Sequence, residues 1–313
     1  MMPSIGFFGP RGTFTEQALL SMPIAQSADL VDFKTVSAAL DAVRRGEVDS
    51  ALVPLENSVE GSVATTLDEL AYGEPLVIVD EVALNVQFAL MVRPGTRLSD
   101  ISLYTTHPHA YAQCREWLGT VLPDAHYASA LSNASAAIDV ADPASRFQAA
   151  IGPRIAAEHY GLEVLAENIG DNEDAQTRFV LVSRRRAPQP PTGADCTSLV
   201  IFIRQDHAGA LLEILTEFAV RGINLTRIES RPTKKQLGDY YFSLDIQGHI
   251  GEARVGEALA GLHRICLEVR YLGSYPRHDG RANLAPETVS DEAFASSVEW
   301  VDALRDTGKP PAN

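Results

Sequence analysis

The sequence has 313 residues, of which 45% are hydrophobic, and a formal net charge of −15. A chain of this length usually forms two or three domains. The acidic balance argues against a nucleic-acid partner and against an anionic membrane surface, because both attract basic proteins. An anionic small molecule would need local arginines or helix N-termini in its site.

Cysteine usage and the N-terminus bear on the cellular compartment. Cys114, Cys196 and Cys266 are far apart and have no metal-ligand spacing, so we expect reduced thiols in a cytoplasmic protein. The opening residues MMPSIGFFGPRG lack the basic and apolar regions of a signal peptide. No apolar run approaches the length of a membrane span, so we also expect no membrane partner.

In the first 185 residues, strand-like segments alternate with helical ones. We predict that Ser37 caps one of these helices and that Gly46 ends it. The alternation predicts an α/β module with a mainly parallel sheet, in which ligands bind beyond the carboxyl ends of the strands. The predicted strands are 5–8, 50–53, 76–84, 88–92, 103–106 and 178–182, and the predicted helices are 38–45, 65–72, 108–118, 133–141 and 153–160.

A second module follows a segment rich in proline, 186–196, which we interpret as a linker. The order of predicted elements is then βαββαβ, the ferredoxin-like pattern, with two helices on one sheet face. Its sheet edges stay open, which favours pairing with a second copy. The strands are 197–203, 223–229, 241–247 and 267–271, and the helices are 210–221 and about 255–262.

The tail, 276–313, contains one helical pattern. Phe294, Val298, Val301 and Leu304 have helical spacing within 291–305. This spacing predicts a short amphipathic helix that docks on the protein's own surface.

The first segment with chemical potential is GPRGTF, residues 9–14, between a strand and a helix. Thr13 and Glu16 have the spacing of a capping box. Free N–H groups at a helix N-terminus attract an anion, and Arg11 adds positive charge, so Arg11, Gly12 and Thr13 are candidate substrate contacts. The alternative is a plain strand-to-helix turn.

Two further polar segments follow predicted strands. PLENSVEGS places Glu56, Asn57, Ser58 and Ser62 where an α/β sheet opens its cleft, although a hydrated loop with capping serines would look similar. THPHA contains two histidines, but no third ligand is suitably spaced for a metal. We therefore prefer a capping or core-edge pair, and keep His107 or Gln113 as a polar substrate contact.

The fourth segment, NEDAQTRFVLV, carries an acidic loop into Thr177, Arg178 and an apolar strand. Arg178 either pairs with a structural carboxylate or clamps a substrate carboxylate through its planar fork. Neither a Ser-His-Asp or Cys-His order nor a dinucleotide-binding glycine loop is present in the sequence. The pattern favours a reaction that uses neither a covalent nucleophile nor a redox cofactor.

The ordered set GPRGTF, PLENS, GS, HP and TRF, followed by GALL and ESRP, resembles the prephenate dehydratases with a C-terminal ACT domain, over about residues 5–275. The resemblance implies a cofactor-free conversion of prephenate to phenylpyruvate, water and carbon dioxide in phenylalanine biosynthesis. It implies a catalytic domain, 1–185, with two α/β lobes like a periplasmic binding protein. The lobes are roughly 1–80 with 178–185, and 81–177, and the ACT domain is 197–275.

The resemblance also assigns roles to residues. The family's key threonine corresponds to Thr177, which we expect to polarise the departing hydroxyl, while Glu56 or His107 stays open as the proton source. Arg178 and the amides of residues 9–14 are expected to hold carboxylates. The catalytic candidates are Thr177, Arg178, Glu56, Asn57 and Ser58, and the substrate-binding candidates are Arg11, Gly12, Thr13, Ser62, His107, Gln113, Ser135 and Phe179.

For the ACT domain, the resemblance implies feedback binding of L-phenylalanine. We expect a homodimer through the ACT domains and, beyond it, a homotetramer as a dimer of dimers, although the sequence leaves dimer or tetramer open. A related substrate, arogenate, is an open alternative. So is a non-catalytic amino-acid or keto-acid sensor, although the complete TRF motif argues against it. The allosteric candidates are Asp206, Gly209, Ala210, Leu211, Leu212, Asn224, Glu229, Ser230, Arg231 and Pro232.

Overall fold

The fold is taken from a computed structural model, which describes residues 2–234 and 239–308. Two compact units make up the chain, Met1–Glu69 with Val82–Arg184, and Leu70–Glu81 with Arg185–Asn313. Within the described residues, no helix combines the length and the apolar character needed to cross a membrane.

The first unit contains two lobes, each built on its own sheet. The strands are β1 Ser4–Phe8, β2 Asp29–Phe33, β3 Ser50–Asn57, β4 Gly61–Ser62, β5 Leu76–Asn85, β6 Ala89–Val92, β7 Leu103–Thr106, β8 His126–Ser129, β9 Ala149–Gly152, β10 Glu163–Ala166 and β11 Gln176–Arg184. The helices are α1 Phe14–Ser21, α2 Val36–Arg45, α3 Ala64–Tyr72, α4 Pro108–Gln113, α5 Arg115–Val121, α6 Asn133–Ala141 and α7 Arg154–Tyr160. The unit boundary falls within α3 and within β5.

The first lobe has the strand order β2-β1-β3-β11-β5, with β4 beside β3, and the second lobe has the order β10-β6-β9-β7-β8. β1 is parallel to β2 and β3, but β11 is antiparallel to β3. In the second lobe β7 is parallel to β8 and β9, whereas β6 is antiparallel to β9 and β10. The prediction of mainly parallel sheets is therefore wrong. One reason is that β11 follows a loop, 167–175, instead of the crossover helix that a parallel connection needs.

The chain crosses between the lobes twice, and the crossing segments lie side by side. The amide of Val86 donates to the carbonyl of Ala175 at 2.7 Å, and the amide of Ile169 donates to the carbonyl of Phe88 at 3.1 Å. Each lobe keeps a core of its own, so a cleft can exist between them. This arrangement confirms the two-lobed α/β class.

Several local predictions are wrong. α2 begins two residues earlier than predicted, because Thr35 rather than Ser37 accepts the capping bond, from the amide of Ala38. The predicted helix over 108–118 is interrupted at Cys114. The short strands β2, β8, β9 and β10 were not predicted. β9, for example, has the sequence AAIG, whose alanines carry little strand propensity.

The second unit confirms the ferredoxin-like pattern. Its strands are β12 Asp195–Phe202, β13 Leu225–Pro232, β14 Tyr240–Gln247 and β15 Glu268–Pro276, and its helices are α8 Ala210–Ala219, α9 Ala253–Ile265 and α10 Asp291–Thr307. The sheet order is β13-β14-β12-β15, and each pair of neighbours is antiparallel. Apolar residues of α8 and α9, including Ile214, Phe218 and Val255, form one core with the sheet.

The helix predicted in the tail is present as α10, but it does not bury an apolar face. None of its residues is buried, and Val298 and Trp300 are about half exposed. Its polar start contacts the unit through Asp291, which accepts a bond from the amide of Ala253 at 2.7 Å. α10 thus lies against α9 of its own unit, with Phe294 and Leu304 of the predicted stripe partly buried and Val298 and Val301 exposed. The last residues of the predicted tail, 309–313, lie outside the described residues.

Candidate active site

Two cavities that share part of their lining open between the lobes of the first unit. The larger has a volume of about 490 Å³, within the range of about 300–1,000 Å³ that is usual for small-molecule sites. Residues from both lobes line it. Among the predicted site residues, Asn57, Ser62, His107, Gln113 and Thr177 line the larger cavity, and Thr13, His107, Thr177 and Phe179 line the smaller one.

Thr177 is the second residue of β11 and lies directly opposite Asn57, the last residue of β3. The Asn57 side-chain amide Nδ2 donates to Thr177 Oγ1 at 2.8 Å. Asn57 Oδ1 accepts from the amides of Val59 and Glu60, each at 2.9 Å, which fixes the direction of the amide. Because Thr177 Oγ1 is an acceptor in this bond, its own proton is left to be donated to a third group.

Ser58 holds the residue that precedes Thr177. Its amide donates to the Gln176 carbonyl at 2.8 Å, and its hydroxyl accepts from the Gln176 amide at 2.9 Å. Glu56 lies opposite Arg178 in the same strand pair. Neither Glu56 nor Ser58 belongs to the lining of the two cavities. Through its two bonds to Gln176, Ser58 instead positions the strand that carries Thr177.

His107 faces the cavity from the second lobe, where it caps α4. Its Nδ1 accepts from the amide of His109 at 3.3 Å, so in the neutral ring the proton resides on Nε2. Burial lowers the pKa of His107 first, and the neighbouring His109 lowers it further, while Glu60 opposes the shift. The expected capping role is thus observed. Within the described residues, no group of three His, Cys, Asp or Glu side chains could hold a metal ion.

Asn133, at the start of α6, lines both cavities and was not predicted. Its Oδ1 accepts from the hydroxyl of Thr106 at 3.2 Å and from the amide of His107 at 3.3 Å. The predicted contact Ser135 forms a capping box with Ser132 instead. The sequence signal that could have found Asn133 is its place at the first turn of a helix that follows a strand.

The Gly9–Phe14 turn departs from its predicted role. The capping bond from the Glu16 amide to Thr13 Oγ1 is present at 3.3 Å. The Glu16 carboxylate, however, accepts from the amide of Gly12 at 2.6 Å, so this amide already has an anionic partner within the protein. Arg11 and Gly12 lie outside the lining of both cavities, whereas Phe14, which was not predicted, lines both.

Charge in the cavities comes from few groups. Among the described residues that line them, the ionisable side chains are Glu60, His107 and His109. Arg178 follows Thr177 in β11, so the two side chains point to opposite faces of the sheet. Arg178 does not belong to the lining of either cavity. Its role as a carboxylate clamp stays a prediction. Glu60 also accepts a bond from Gln113 Nε2 at 3.4 Å, from one lobe to the other.

The allosteric candidates fall into two groups in the second unit. Asp206 and Gly209 lie in the loop before α8, where Gly209 has a φ of 97° and caps the helix. Leu212, on the exposed side of α8, is 67% exposed. Glu229 and Arg231 pair at 3.2 Å on the edge strand β13. Of the ten candidates, Ala210 lines a cavity of about 180 Å³ beside the start of α8.

The family models and the curated relatives agree on one family. The sequence model described as prephenate dehydratase matches residues 5–187, and the ACT domain model matches 197–264. The prephenate dehydratase of Amycolatopsis methanolica is 47% identical over 97% of this chain and 98% of its own. The Arthrobacter aurescens prephenate dehydratase, solved in complex with L-Phe, is 50% identical with a TM-score of 0.92, over 97% of this chain and 99% of its own. A structure described as GqqA, a novel type of quorum quenching acylase, is 29% identical with a TM-score of 0.79, over 87% of this chain and 97% of its own.

Proposed function

The chain belongs to the prephenate dehydratase family, and on this premise we propose that the cavity between its lobes is where prephenate loses water and carbon dioxide to become phenylpyruvate. The observation that carries the proposal is the Thr177 hydroxyl, which lies in the cavity wall with its oxygen bonded to the Asn57 amide.

The reaction breaks two bonds and makes an aromatic ring. As carbon dioxide leaves, the electrons of its C–C bond enter the ring, and the ring C–O bond breaks toward oxygen. The departing oxygen gains negative charge, which a positioned O–H donor stabilises. Thr177 supplies that donor. An aliphatic hydroxyl is too weak an acid to transfer its proton outright, so a second group assists the step.

His107 is the better candidate for that second group. It lines both cavities, and its Nε2–H is available because Nδ1 is engaged by the amide of His109. Glu56, the other group that we considered, lies outside the lining of both cavities. The Nε2–H of this neutral ring can donate a second hydrogen bond to the leaving oxygen, but a neutral imidazole is too weak an acid to give the proton away. The proton that converts the departing hydroxide to water therefore comes from solvent.

Helix N-termini offer a way to bind the two carboxylates of prephenate in this acidic protein. Residues at the starts of α1, α3 and α6, namely Phe14, Ala64 and Asn133, line the larger cavity. The free amides and the dipole of a helix start favour an anion. The side-chain nitrogens of Asn133 and Gln113 add neutral donors.

The direct test is to incubate the pure protein with prephenate and record the absorbance of phenylpyruvate. Saturable formation of phenylpyruvate is expected. If none forms under conditions in which the protein is folded, the proposal is wrong. Arogenate added as a competitor decides between the two related substrates, because a preferred substrate suppresses turnover of the other.

We also propose that the ACT unit binds L-phenylalanine and reduces turnover, in a homodimer formed through its sheet edge and further in a dimer of dimers. The complex of the Arthrobacter aurescens relative with L-Phe supports this binding. The open edge strand β13 supports the pairing. Adding L-phenylalanine to the turnover assay tests the inhibition, and light scattering of the same sample tests the assembly.

A further inference from the structure

We propose that the segment Gly9–Glu16, which is the turn before α1 together with the first residues of the helix, is a clamp between the two lobes. Glu16 and His159 are then positioning residues for the reaction. The clamp joins the turn, in the first lobe, to helix α7, in the second lobe. The proposal rests on the proposed function, because it concerns the cavity between these lobes.

The polar part of the clamp is a buried carboxylate. The Glu16 side chain is 3% exposed, and its Oε2 lies 3.0 Å from Nε2 of His159 at the end of α7. The same oxygen accepts from the amide of Gly12 at 2.6 Å. A buried carboxylate must be paired to be tolerated, so this contact between lobes satisfies a group that would otherwise be destabilising.

The backbone of the turn also packs on α7. The hydroxyl of Tyr160 donates to the carbonyl of Arg11 at 2.6 Å. Gly12 has a φ of 83°, and a Cβ there would lie 3.0 Å from the ring of Tyr160 and 3.1 Å from Cα of Ala156. The glycine therefore permits a close approach between the turn and the helix.

The apolar part of the clamp is Phe14. Its ring meets that of Phe88 edge to face at 5.3 Å, and it packs against the apolar core of the second lobe. Phe14 also lines both cavities. Clamp and cavity are thus adjacent, which makes a change in one able to alter the other.

Catalysis needs the two lobes together, because Thr177 belongs to the first and His107 to the second. Within the described chain, the two crossing segments are the only covalent connections between the lobes. The separation of the lobes can therefore vary. If a competent closed state is one of two states, a contact that stabilises it raises the apparent affinity for substrate. The clamp is such a contact.

The test is His159→Ala, a substitution at a side chain that is 30% exposed, which leaves Glu16 its bond from the Gly12 amide. We expect KM for prephenate to rise about fivefold with kcat nearly unchanged, since a partly exposed charge-assisted bond is lost. His159→Gln, which keeps a donor, should restore part of the affinity. Glu158→Gln on the same helix is the matched control, because Glu158 pairs with Arg154 of its own helix.

Hydrogen–deuterium exchange gives a readout that does not depend on turnover. In His159→Ala, amides of both 9–16 and 154–160 should exchange faster than in the wild type and in Glu158→Gln. Faster exchange in 154–160 alone would mean a local role and would overturn the clamp. An unchanged KM, or an equal rise in the control variant, would overturn it as well. Absence of turnover in the wild type would instead count against the proposed function.

Discussion

The side-chain amide of Asn57 donates a hydrogen bond to the hydroxyl of Thr177 across the β3–β11 pair, although 120 positions separate the two residues in the sequence. The backbone amides of the following turn hold the other end of the same side chain, so the nitrogen is the end that meets Thr177. The bond therefore occupies an acceptor site of Thr177 Oγ1 and leaves the threonine proton to point away from Asn57.

Thr177→Ala should lower kcat for prephenate by about 10²–10³-fold, which is the usual effect of removing one donor to a developing oxyanion. Thermal unfolding should change little, because the side chain is small and its neighbours remain. Thr177→Ser keeps the hydroxyl and should retain most of the activity. Near wild-type turnover in the alanine variant would show that Thr177 has no catalytic role.

Asn57→Ala should lower kcat about tenfold, since the threonine proton then loses its fixed direction and one hydrogen bond is removed. The informative measurement is the double mutant with Thr177→Ala. If Asn57 acts through Thr177, the asparagine substitution should have almost no further effect on kcat in that background. Fully additive losses would mean that Asn57 acts independently.

His107 should make stability depend on pH. Burial lowers the pKa of folded His107, so as the pH falls through about 6.5 the unfolded chain takes up a proton that the folded chain does not. The unfolded state is then favoured, and this contribution is complete once the pH passes below the folded pKa. His107→Asn should therefore lose less thermal stability between pH 7.5 and 5.5 than the wild type, as measured by the shift in Tm. His126→Asn, which replaces an exposed histidine, serves as a control. An equal loss of Tm in the wild type and in His107→Asn would contradict the expectation.

Gly209→Val should abolish inhibition by L-phenylalanine while leaving turnover intact. The backbone of Gly209 has a φ of 97°, which a β-branched residue adopts only with strain, so the loop before α8 must rearrange. Gly209→Asn should be milder, because asparagine tolerates positive φ better. Inhibition curves of the three proteins decide the matter, and unchanged inhibition in the valine variant would remove this loop from the effector site.

Much of the architecture could be predicted because local patterns encode it. The alternation of strands and helices in the first part and the βαββαβ order in the second depend on periodicity and on turn residues, which act over a few positions. The directions of the strands could not be predicted in this way. The position of β11 beside β3 depends on a return from the second lobe, which no local pattern records.

The same division applies to the site. The sequence by itself determined which short polar segments follow strands, and so brought Asn57, His107 and Thr177 into consideration. Only the tertiary structure decided that Asn133 joins them, that Arg178 lies outside the cavity lining, and that Glu16 is engaged by Gly12 and His159. The physical reason is that residue type and spacing determine what a side chain can donate or accept, whereas the partner that it meets depends on how distant strands and helices pack.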